Sequence, residues 1–97
     1  MEKKAHQYKL TLEYLENNNG ESMNMTPVEL KFDNHDDIFK IVQMQQERNL
    51  FGDTNQSTEF VIGLKLFTEV MLKNRNNPLF EDLLPAFNTF MKKLKSM

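Results

Sequence analysis

The chain has no cysteine at all and only three glycines and three prolines in 97 residues. Without cysteine there is no disulfide framework, no thiolate nucleophile and no Cys-ligated zinc, so stability rests on packing, a metal or association. The few glycines form no phosphate-cradling loop, and no serine lies in a nucleophile elbow. No apolar run approaches the ~20 residues of a membrane span. The N-terminal run MEKKAHQYKL carries charge where a signal peptide carries its apolar segment, so a soluble cytoplasmic protein is expected. Nor is there an excess of positive charge. Twelve basic and fourteen acidic side chains give a formal charge of −2, which argues against DNA or RNA as the main partner.

What is present is periodicity. From Ala5 to Glu16, Tyr8, Leu10, Leu12 and Tyr14 alternate with Gln7, Lys9, Thr11 and Glu13, the pattern of a half-buried strand. Asn19-Gly20 suits the positive φ of a hairpin turn, and from Val28 to Asp33 the alternation resumes, with Val28, Leu30 and Phe32 expected inward. Pro27 lacks an N–H and belongs at an edge, a strand start or a bulge. Residues 5–33 thus read as an antiparallel β-hairpin.

Three helical patterns follow. The first, 34–50, is expected to start at an Asn34 cap, with Asp36 and Asp37 in its first turn, and to stop near Asn49, before Gly52. The second, 56–75, carries the most apolar stretch of the chain. Phe60, Gly63, Leu64, Leu66, Phe67, Val70 and Met71 fill one broad arc, and a cap is expected at Asn55 to Ser57. Gly63 on that arc suggests close approach of another backbone. The third, 78–95, follows an Asn77-Pro78 start and is either kinked or split by Pro85. Phe80, Leu83, Leu84, Phe87, Phe90, Met91 and Leu94 keep one phase through it.

The order predicts a single α+β domain over residues 1–97: an N-terminal antiparallel hairpin followed by three to four helices packed on one face. A two-stranded hairpin has unpaired edges. That motivates the expectation of a symmetric dimer, formed edge to edge or through the central helix.

The chemistry-bearing candidates are few. His35, Asp36 and Asp37, with His6 or Asp33, make the one cluster mixing imidazole and carboxylate, the groups a divalent metal takes. Yet neighbouring helical residues diverge by about 100°, no H-x-x-x-H spacing is present, and helix capping accounts for the same residues without a metal. His6 reads as a strand-end residue. Lys65, Glu69 and Lys73 are ordinary i,i+4 surface pairs, and the lysines and arginine at Lys73, Arg75, Lys92, Lys93 and Lys95 suit solvated helix ends. No cofactor is assigned.

The blocks HQYKLTLE (from His6), NHDDIFKIV (from Asn34), GLKLFTEVMLKNRNNPLFEDLLPAF (from Gly63) and FMKKLK (from Phe90) resemble an uncharacterised bacterial family of domains of unknown function, numbered thirty-eight sixty-one. The long block from Gly63 is the most specific, and the Asn-rich hairpin loop the loosest. The resemblance implies a small stand-alone bacterial cytoplasmic domain and brings no catalytic residue or ligand. Together these readings point to a non-enzymatic interaction module, expected as a homodimer or with an unknown protein partner. The alternative is a small-ligand or metal-binding protein with a pocket near His6, His35 and Asp36.

Overall fold

The computed structural model describes residues 4–97; Met1, Glu2 and Lys3 of the charged N-terminal run lie outside them. The element order is β1 (His6–Leu12), β2 (Val28–Asn34), α1 (Ile38–Arg48), α2 (Thr54–Lys73), a 3-10 turn (Pro78–Phe80) and α3 (Leu83–Ser96). This is an α+β chain in which a hairpin precedes three helices. Residues group into two compact units, Met1–Ile41 and Val42–Met97, so the boundary falls inside α1.

In the first unit β1 and β2 pair antiparallel, from His6 opposite Asn34 to Leu12 opposite Val28. The ladder stops where Pro27 begins, because proline has no N–H to donate. Beyond it Glu16 pairs with Ser22 in an isolated bridge. Three residues, Glu13–Leu15, therefore span the same gap as five, Met23–Pro27, which accounts for the shift in register around Pro27. The tip is closed by Asn17: its side-chain oxygen accepts from the Asn19 and Glu21 amides at 2.9 and 3.0 Å. Only Gly20 takes a positive φ there, at 78°, so the Asn19-Gly20 turn needs one left-handed residue rather than two.

The inward face expected of the strands is covered only in part. Tyr8, Leu10 and Phe32 are half-buried, while Leu12, Tyr14, Val28 and Leu30 are exposed. Alternation fixes which side chains share a face, not whether anything lies on that face.

The first helix starts later than the Asn34 cap implies. Asn34 ends β2, buried, with its side-chain oxygen accepting from the Asp36 amide at 2.9 Å. Asp37 is the residue whose carboxylate accepts from the Lys40 amide at 3.2 Å, so it performs the capping. Both residues satisfy backbone donors, and the chain uses them in succession. At the other end Asn49 takes φ 53°, the left-handed position that asparagine tolerates.

In the second unit, α2 also begins ahead of the expected cap. Asp53 accepts from the Asn55 and Gln56 amides at 2.8 and 3.2 Å. Its buried stripe is Ser57, Val61 and Met71, displaced around the helix from the broad arc of the sequence pattern. Phe67 and Val70 are exposed, and a methyl placed on Gly63 would meet nothing within 4 Å, so the close backbone approach expected there does not occur. Ser57 can be buried because its hydroxyl donates to the Asp53 carbonyl at 3.3 Å.

Among the described residues the helices number three, where three to four are expected. Asn77 caps the turn begun by Pro78, accepting from the Leu79 amide at 2.9 Å, but that turn ends at Phe80. Pro85 dictates the break. It has no N–H to bond back one turn, so α3 starts at Leu83, where a first-turn donor needs no helical partner. Aromatic rings then fill the unit: Phe60 lies edge-on to Phe51 at 5.1 Å and to Phe90 at 6.3 Å, and Phe67 edge-on to Phe80 at 6.1 Å. Arg48 donates to the carbonyls of Leu94 and Met97, joining the C-terminal ends of α1 and α3.

Candidate functional site

The sequence candidates gather at the open end of the hairpin, where register places His6 opposite Asn34, one residue from His35. Each is exposed. His35 Nδ1 lies 3.3 Å from the Lys4 carbonyl, to which it donates, and the His6 ring sits 6.3 Å from that of Tyr8. Asp36 serves through its backbone: its carbonyl accepts from the Tyr8 hydroxyl at 2.8 Å. Among the described residues no group of three or more His, Asp or Glu side chains is arranged to hold a metal ion.

Tyr8 is the residue that periodicity alone could not single out. Its hydroxyl donates to Asp36 and also accepts from the Ile38 amide at 3.0 Å, so one side chain on β1 fastens the first turn of α1 to the strand. Its ring lies 5.4 Å from Phe32 and 6.3 Å from Phe39. Alternation marks it as a core aromatic, but a hydrogen bond across this separation leaves no trace in local spacing. At this end the Asn34 and Asp37 side chains thus hold backbone amides.

The larger open surface is the far end of the hairpin. Leu12, Leu15, Met25 and Val28 are 66%, 71%, 59% and 64% exposed. With Tyr14, Thr26 and the carboxylates Glu13 and Glu16 they line a shallow cavity of about 710 Å³. Contiguous exposed apolar side chains rimmed by polar ones mark protein or membrane interaction sites or ligand-binding grooves. The second unit holds a smaller hollow of about 350 Å³, lined by Leu50, Phe51, Phe60, Phe90, Leu94, Lys93 and Met97. It has a single charged group and no pair of groups placed for acid–base chemistry.

Along β2 the charges alternate in sign at Glu29, Lys31 and Asp33. Lys9 stands opposite Lys31, and Thr11 opposite Glu29. Lys9 reaches diagonally to Glu29, with Nζ to Oε2 at 2.6 Å. Both side chains are about half exposed, so this pair contributes little to stability, ~0.5 kcal/mol. No helix among the described residues is long and apolar enough to cross a membrane.

Comparison with known proteins agrees with the resemblance read from the sequence blocks. A crystal structure at 2.20 Å of a protein of unknown function from Pectobacterium atrosepticum is similar to this chain, with 30% identity and a TM-score of 0.83, over 96% of this chain and 99% of that one. No curated protein matches. Residues 6–96 match the model of a family described as a domain of unknown function of solved structure, DUF3861. The match spans the hairpin and the helices α1 to α3, and on that extent the chain belongs to the DUF3861 family.

Proposed function

We propose that the protein is a non-enzymatic interaction module that acts as a homodimer. The observation that carries this reading is the hairpin arm, where Leu12, Leu15, Met25 and Val28 stand in solvent beside strand edges that lack backbone partners among the described residues. A soluble protein that leaves such a surface open pays about 25 cal/mol for each Å² of apolar area, and a second chain recovers it. The residues that could do chemistry support the same reading, since Asn34, Asp37 and Asp53 all hold helix or turn amides.

Native mass spectrometry of protein from a bacterial host, without added metal or chelator, tests this together with sedimentation. A dimer mass with no adduct is expected. A clean monomer at high micromolar concentration would sink the reading, and a discrete retained mass would replace it with ligand binding.

A further inference from the structure

The sheet has two strands, so among the described residues each strand keeps one edge without a backbone partner. On β2 that edge is exposed from Val28 through Lys31 on both faces. Its charges are incompletely matched. Lys31 stands opposite Lys9, a like-charge pair that disfavours the hairpin, while Lys9 takes up Glu29. Lys31 itself makes no ion pair among the described residues.

We propose that the β2 edge pairs with the β2 edge of a second copy, antiparallel about a twofold axis at Leu30, to give a four-stranded sheet of order β1-β2-β2-β1. This rests on the homodimer reading and specifies its interface. In that register Leu30 meets the partner's Leu30, and Phe32 meets the partner's Val28. Lys31 meets the partner's Glu29, and Glu29 the partner's Lys31. The twofold axis makes every hetero-pair twice, so the cation left over in one hairpin shares the carboxylate that Lys9 holds in the other.

Other registers fare worse: an axis at Phe32 also sets Lys31 on the partner's Asp33, but it opposes apolar Leu30 to Asn34, which is buried. An axis at Lys31 sets lysine on lysine and Glu29 on the partner's Asp33, and an axis at Glu29 sets glutamate on glutamate. A shift by a single position mixes apolar with charged side chains on one face. Pairing through β1 is poorer: an axis at Lys9 opposes two lysines, an axis at Leu10 sets Lys9 against threonine, and an axis at Thr11 sets Lys9 on the partner's Glu13, which lies beyond the end of β1. Pro27 then ends the intermolecular ladder at Val28, as it ends the intramolecular one. The charges thus act both for one register and against its neighbours.

Because the chain has no cysteine, one introduced thiol is the sole thiol. Residues facing each other across an antiparallel pair lie about 4.5 to 5.5 Å apart at Cα, within disulfide reach. Leu30→Cys is therefore expected to form a covalent dimer on mild oxidation. Val28→Cys, on the more exposed residue, is not, since its two copies sit roughly four residues, about 13 Å, apart along the strand.

Lys31→Glu separates folding from pairing. It puts a carboxylate opposite Lys9 inside the hairpin, which favours the fold, and opposite the partner's Glu29 across the axis, which opposes the dimer. The dimer dissociation constant is expected to rise roughly ten- to a hundredfold, with no fall in melting temperature of the monomer. An equimolar mixture of Lys31→Glu with Glu29→Lys restores a dimer of one chain of each. A wild-type chain that is monomeric at about 100 μM overturns the homodimer reading itself. A wild-type dimer that Lys31→Glu leaves unchanged, and whose Leu30→Cys form crosslinks no faster than Val28→Cys, overturns only the β2 pairing.

Discussion

In the unit Val42–Met97, Val61, Met71 and Phe80 are buried and the phenylalanines meet edge to face. In the unit Met1–Ile41 no strand residue before Asn34 is buried, and leucines and a valine stand in water. Both stretches carry similar apolar side chains. What differs is that a helix pair can cover apolar stripes within one chain, whereas a lone hairpin buries at most one face and keeps two free edges. The helical unit holds itself by side-chain packing. The hairpin holds itself by its ladder and one tyrosine, and Leu12, Leu15, Met25 and Val28 stay exposed.

The contrast breaks first at Met71, which is 0% exposed. Met71→Ala removes a fully buried side chain and is expected to cost about 3 kcal/mol, read as a lower midpoint in urea unfolding at unchanged slope. A loss below ~1 kcal/mol would mean that the helical unit has no core worth the name. Tyr8→Phe addresses the other side. It keeps the ring stack with Phe32 and removes the hydroxyl, so the Ile38 amide and the Asp36 carbonyl both lose this partner. About 2 kcal/mol is expected. Hydrogen exchange should show the loss in β2 and at Ile38; an equal loss through α2 and α3 would mean that the two units share one cooperative core.

How much of this was legible in the sequence follows from the same contrast. Alternation in Tyr8-Lys9-Leu10 and Leu30-Lys31-Phe32 shows strands and shared faces, because period two is a property of the backbone. It is silent on Leu12 and Val28 being uncovered, since cover comes from elsewhere in the chain or from another chain. On α2 the apolar residues outnumber the buried ones, and the stripe is chosen by Ser57, a residue that hydrophobicity ignores but whose hydroxyl is satisfied by its own turn. Of the candidate site, His6, His35 and Asp36 could be brought to one end of the hairpin by pattern alone. The Tyr8 hydroxyl that organises that end could not, because it acts between residues far apart in sequence.

Caps form the next step down in size. Asp53, Asn55 and Ser57 are all good cap formers, and backbone geometry selects Asp53, with φ −152°. Asp53→Ala is expected to cost about 1 kcal/mol, and Asn55→Ala far less. Equal losses in thermal melts would mean that the start of α2 is frayed and that the helical unit is less ordered than its core suggests.

The smallest expected effect is the most informative about the hairpin. Lys9 is drawn diagonally to Glu29 and repelled by Lys31 directly across the ladder, at an exposed position where each interaction is worth a few tenths of a kcal/mol. The two nearly cancel, so Lys9→Ala should change monomer stability by less than ~0.5 kcal/mol in denaturant unfolding at low concentration. The short distance between Lys9 and Glu29 is therefore no measure of what the pair contributes to the fold. Removing Lys9 nonetheless leaves Glu29 wholly available to the partner's Lys31, so self-association, followed by sedimentation across a dilution series, should hold or tighten. If dimerisation weakens instead, Lys9 belongs to the interface and the pairing strand is β1.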